Sequence, residues 1–143
     1  MSFEPARPRY TLPFAGKDYE LLGTFALIEA VEYALKANIG LLAVQIVNGM
    51  PSHELAKVIS TMLTACDHKM TAKEAGELLW GEVGLSGDEN ETLRLHLYSF
   101  LSVCLAPPGK REEKAKKMGE MIGKLTAPAA SPGVSTGESA SAS

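Results

Sequence analysis

The chain has 143 residues and a mass of 15.2 kDa, with 45% hydrophobic, 22% charged and 6% aromatic residues. Those averages fit one soluble domain, leave no room for two full-sized ones, and are too apolar for a chain disordered throughout. The longest strongly apolar stretch, Ile39–Val47, is about half of the ~20 residues a spanning helix needs, and the opening MSFEPARPRY lacks the apolar core of a secretory signal, so neither membrane insertion nor export is expected.

Charge divides unevenly along the chain. Residues 1–109 carry 8 basic and 13 acidic groups, a net of −5, whereas residues 110–124 carry 6 and 3, a net of +3. In residues 126–143, 16 of 18 positions are Ala, Ser, Thr, Gly or Pro, and with almost no side chain to bury this tail is expected to be disordered.

In chain order, residues 1–8 hold Pro5 and Pro8 among mixed charges and read as a flexible lead-in. Arg9 to Phe14 and Tyr19 to Gly23, two runs rich in Tyr, Thr, Phe and Leu around Ala15-Gly-Lys-Asp18, predict a β-hairpin. Pro13 cannot donate to a ladder, so its strand belongs on an edge. Such a hairpin must lean on other elements.

Thr24 is a candidate N-cap for a helix over Phe25–Ala37, with Phe25, Ile28, Val31 or Glu32, and Leu35 at helical spacing and Glu29, Glu32 and Lys36 able to face water. Asn38 to Gly40 breaks that helix. Leu41–Val47 follows as a short apolar run whose β-branched residues also permit a strand, and helix is preferred because its surroundings are helical. Ser52 then precedes the stripe Leu55, Val58, Ile59, Met62, Leu63 and Cys66. Thr71-Ala-Lys-Glu74 has the spacing of a capping box and opens a helix through Leu78, Leu79 and Trp80 to Val83.

Acids at Asp88, Glu89 and Glu91 suit the first turn of another helix, whose stripe is Leu93, Leu97, Phe100, Leu101, Cys104 and Leu105 and which Pro107-Pro108-Gly109 stops. Lys110–Leu125 permits a basic helix with one weak stripe of Met118, Met121, Ile122 and Leu125, semi-detached from the acidic body. The fold class is therefore mainly α, a short N-terminal hairpin packed on five to six helices. The chain divides into a lead-in (1–8), a hairpin-plus-helix domain (9–106), a basic helical arm (107–125) and the tail (126–143).

No catalytic, cofactor or metal site emerges. His53, His68 and His96 are scattered, and Cys66, Asp67 and His68 are neighbours in sequence that diverge around a helix and lack a fourth ligand. Cys66 and Cys104 lie in stripes that predict buried, free thiols. Gly81, Gly84 and Gly87 match no phosphate-binding loop, and Glu82, Asp88, Glu89 and Glu91 lack the ligand spacing of a calcium loop. Leu55–Cys66, a five-residue joint and Ala72–Val83 have the lengths of a helix-turn-helix, but the second helix sets Lys73 against Glu74, Glu77 and Glu82, the wrong sign for a phosphate backbone.

The order of these signals carries a resemblance. Tyr10-Thr-Leu-Pro-Phe-Ala-Gly-Lys-Asp-Tyr-Glu-Leu21 followed by Thr24-Phe-Ala-Leu-Ile-Glu-Ala-Val-Glu32, then Leu41–Val47, Glu54–Leu63, Met70–Leu78 and Glu82-Val-Gly-Leu85, resembles the small tail-assembly chaperones of siphophages and gene transfer agents across residues 9–106. Pro13, the acidic fourth helix and the basic C-terminal helix depart from that pattern. The resemblance implies a non-enzymatic factor of the host cytoplasm, without cofactor, that binds the tape-measure protein, helps recruit tail-tube subunits and is absent from the mature virion. Self-association is compatible with it; nucleic-acid and membrane partners are not expected, and it assigns no binding residues. The rival readings are a helix-turn-helix regulator of a mobile element and a structural tail adaptor retained in the particle.

Overall fold

A computed structural model describes residues 3–126; the tail expected to be disordered, bar Thr126, lies outside the described residues. The chain is mainly helical behind one two-stranded antiparallel hairpin, as the sequence predicts. Strands β1 (Arg9–Phe14) and β2 (Lys17–Leu22) pair from Arg9 opposite Leu22 to Phe14 opposite Lys17. They turn on Ala15 (φ 53°) and Gly16 (φ 80°), the two positive φ angles of a type I′ turn. Alternation buries Leu12, Phe14, Tyr19 and Leu21 on one face and leaves Arg9, Thr11, Pro13, Asp18 and Glu20 on the other.

Helix α1 (Phe25–Leu35) begins at Thr24, whose Oγ1 accepts from the Leu27 amide at 3.1 Å. Its buried residues are Leu27 and Val31, while Phe25 is 78% exposed. Val31 of the expected stripe is thus buried and Ile28 and Leu35 pack against the core, but Leu27 takes the inward place expected of Phe25, because α3 behind the helix sets that edge. Lys36 takes a left-handed conformation (φ 54°) and the chain bends by 72° into α2 (Ile39–Val47), which settles the helix-or-strand question at this run. The bend leaves no free amide at the start of α2. Glu32 accepts from the Ile39 amide at 2.9 Å, and Asn38 from Gly40 and Leu41 at 2.8 and 3.2 Å. Glu32 is therefore part of the corner.

Helices α3 (Ser52–Ala65) and α5 (Asp88–Leu105) form the two spines. Helices α1 and α4 (Ala72–Leu78) pack on α3; α2 and α6 (Arg111–Thr126) pack on α5. The hairpin bridges the two groups, β1 against α5 and β2 against α3. One core runs through both. On α3, Leu55, Val58, Ile59, Met62 and Leu63 are fully buried; each such side chain contributes roughly 1.5–3 kcal/mol. The capping box is complete, with Glu74 N to Thr71 Oγ1 at 3.0 Å and Thr71 N to Glu74 Oε1 at 2.8 Å.

Helix α4 runs into a π-helical turn, Leu79–Val83, closed by the Gly84 amide on Leu79 O at 2.7 Å. Buried Asn90 then donates to Gly84 O at 2.9 Å and accepts from Arg94, which itself donates to Ile46 O, so one polar chain ties this turn and the end of α2 to α5. A 3₁₀ turn at Pro108–Lys110 leads into α6. Helix α6 lies against α5 and does not stand off. Arg111 donates to Cys104 O and Ala106 O, free carbonyls at the end of α5, and to Pro5 O of the lead-in.

Candidate functional site

Each polar residue weighed from sequence has a structural position. His53 is exposed on the first turn of α3, 3.9 Å from Glu54. His68 and Cys66, at the end of α3, meet the outer edge of β2. The Leu22 amide donates to Cys66 Sγ at 3.3 Å, Cys66 Sγ lies 3.7 Å from Leu22 O, and His68 Nε2 lies 2.9 Å from Glu20 O. Asp67 between them is left-handed (φ 68°) and forms the turn that aims both neighbours at the strand. His96 is held by Tyr10, Oη to Nδ1 at 2.6 Å. These histidines serve three different places, and among the described residues no group of three or more His, Cys, Asp or Glu could hold a metal ion.

The thiols are half-buried, less enclosed than their stripes predict, because both sit at helix ends beside the hairpin exit. Burial raises the Cys66 pKa, with Asp67 adding to the rise and the Leu22 amide opposing it. Burial pushes Cys104 up to about 12, with Arg111 opposing. Both are held as neutral thiols, poor nucleophiles at neutral pH.

What the described surface offers instead is contact area. Phe25, Tyr33 and Trp80 are 78%, 86% and 76% exposed, and Leu41, Val44, Leu85 and Leu105 are also in solvent. Leu41 and Val44 stand one turn apart on α2. Phe25 and Leu105 line one recess of about 200 Å³ with Pro8, Ile28 and Cys104. Trp80, placed by sequence within the fourth helix, projects from the π-helical turn while its neighbour Leu79 is buried. A tryptophan beside Gly81 at the end of a short helix was the available sequence signal for that exposure.

A second feature left no sequence signal. A groove of about 920 Å³ runs between β1 and α6, walled by Arg9, Tyr10 and Thr11 on one side and Glu112, Ala115 and Lys116 on the other. Lys110, Lys114 and Lys117 lie around a shallower recess of about 310 Å³ on α6, where Lys117 pairs with Glu113 at 3.7 Å. The basic arm is thus partly neutralised by its own acids. No protein-family model, no curated protein and no solved structure matches the chain. Among the described residues, no single helix is long and apolar enough to cross a membrane.

Proposed function

We propose that this chain is a non-enzymatic assembly chaperone of phage-like tails, acting in the host cytoplasm to bind the tape-measure protein and help recruit tail-tube subunits. The observation that carries this reading is the set of large apolar side chains left in solvent outside a complete core, with Trp80, Tyr33 and Phe25 foremost. Exposed aromatics bury much area on docking while losing few rotatable bonds, so they suit repeated, short-lived capture of apolar helices. Their distribution over α1, α2 and the π-helical turn gives several small contact points in place of one deep pocket.

Co-expression with a fragment of the neighbouring tape-measure protein tests the role. The fragment is expected to move into the soluble fraction with this chain, and to stay insoluble with a variant carrying Trp80→Ser, Tyr33→Ser and Phe25→Ser. Equal insolubility with and without the protein overturns the chaperone role. Abundant protein in purified particles would favour the retained adaptor.

A further inference from the structure

Between the hairpin turn and the first turns of α5 lies a recess of about 210 Å³, apart from the exposed aromatics described above. Pro13 and Phe14 form one wall, Val83 of the π-helical turn contributes to it, and α5 supplies Glu89, Thr92 and His96. Those three follow one another at three- and four-residue spacing, so one face of the helix carries every polar side chain of the lining. The recess is smaller than the roughly 300–1,000 Å³ of small-molecule sites and has the scale of one long side chain.

Its charge has one sign. Glu89 is the only charged side chain in the lining, because burial holds His96 below its ordinary value of 6.5 and therefore neutral at pH 7. Residues 77–91, which include Val83 and Glu89, carry five acids, Glu77, Glu82, Asp88, Glu89 and Glu91, and no Lys, Arg or His. None of the five is in an ion pair among the described residues. Cations on the flanking elements are engaged or lie beyond that stretch. Lys17 at the hairpin turn sits over the Tyr19 ring, 5.2 Å from its centroid; Arg94 donates to Asn90 and to Ile46 O; Lys73, the one cation on α4, precedes Glu77 by a turn. The dipole of α5 stabilises the acids of its first turn but supplies no counter-ion.

We infer that this recess receives a lysine or arginine side chain from a partner protein, its aliphatic stem along Pro13, Phe14 and Val83 and its charged head on the Glu89 carboxylate. Long cationic side chains combine the two halves of that chemistry, an apolar stem and a cationic end. An acidic segment or a nucleic-acid backbone would instead meet five acids without an ion-paired cation among them. The site goes beyond the proposed chaperone role and stands or falls without it.

The test is a heteronuclear NMR titration of the full chain with a blocked probe peptide, Ala-Leu-Lys-Leu-Ala, and with its counterpart bearing norleucine for Lys, which keeps the stem and removes the charge. The lysine probe is expected to shift the amides of Gly16, Glu89 and Thr92, and the norleucine probe to bind several-fold more weakly. Glu89→Gln, at an exposed position, should weaken the lysine probe roughly two- to fivefold and leave the norleucine probe unchanged. Glu77→Gln, an acid outside the lining, should leave both unchanged within about twofold, which separates the recess from the general field of the segment. Absence of shifts at Gly16, Glu89 and Thr92, equal binding of the two probes, or equal losses in Glu89→Gln and Glu77→Gln overturns the inference. So do shifts of the same amides with protein concentration alone, which would assign the recess to a cation of a second copy.

Discussion

Tyr10 of β1 and His96 of α5, 86 residues apart, share a hydrogen bond of 2.6 Å that fastens the hairpin to the second helical spine. The two rings also meet edge to face at 5.8 Å, and Tyr10 tilts against Phe100 at 5.9 Å. In the neutral tautomer that carries its proton on Nε2, the phenol donates and Nδ1 accepts; in the other, Nδ1–H donates to the phenol oxygen. Tyr10→Phe keeps the ring packing and leaves Nδ1 without this partner in either tautomer, so chemical denaturation should show a loss of about 1 kcal/mol. An unchanged midpoint would mean water replaces the phenol.

Burial gives the same pair a pH signature. His96 is held below its ordinary value of 6.5, so the unfolded state binds the proton more readily, and the stability it contributes is present above 6.5 and lost as pH falls through the lower folded value. Tyr10 is raised to about 12, so its contribution is full below 10 and lost as pH climbs from 10 through 12. Denaturation midpoints measured across pH should therefore fall on both sides, and the alkaline fall should shrink in Tyr10→Phe. An alkaline limb identical in that variant contradicts the assignment.

Gly23 sits where β2 gives way to α1. A Cβ built there would lie 2.7 Å from Cys104 Sγ and 2.9 Å from the Pro8 ring. Gly23→Ala is expected to destabilise by about 1–3 kcal/mol through overpacking. Cys104→Ala in the same chain should restore part of that loss, because the sulfur is one of the two obstacles; strict additivity in the double-mutant cycle would show that Pro8 alone is responsible.

Ser99 Oγ is fully buried on α5 and is the one buried side-chain polar atom without a hydrogen-bond partner among the described residues. Ser99→Ala removes a desolvated hydroxyl at little cost in volume, and thermal unfolding should show a gain of about 1 kcal/mol. A loss would reveal a bond that Ser99 makes in solution.

Trp80 is the single tryptophan and lies 76% exposed on the π-helical turn. Its fluorescence should be readily quenched by acrylamide, and Trp80→Ser should change stability by no more than about 0.5 kcal/mol, as for other surface positions. Poor quenching or a large loss of stability would place the indole against the body of the protein.

Much of the architecture is local in origin and was therefore open to sequence reasoning. The α3 stripe from Leu55 to Leu63, the Thr71–Glu74 capping box, the Thr24 cap and the edge position of Pro13 each follow from periods of two or three to four residues, or from a single missing amide. On α1 the inward side of Ile28, Val31 and Leu35 was legible, but the choice of Leu27 over Phe25 was not, since both are apolar and only the position of α3 decides between them. Nor was the groove, whose walls are strand residues 9–11 and helix residues 112–116, about a hundred positions apart.

By itself the sequence determined that a hairpin precedes a series of amphipathic helices and that an acidic body is followed by a basic helix, because backbone propensity, capping and the hydrophobic period act over a few residues. Tertiary structure alone decided that Cys66 and His68 close the β2 edge and that Arg111 reaches back to Pro5 of the lead-in. Those outcomes rest on hydrogen bonds spanning 44, 48 and 106 residues, and a backbone group's partner at that range is set by how the helices pack.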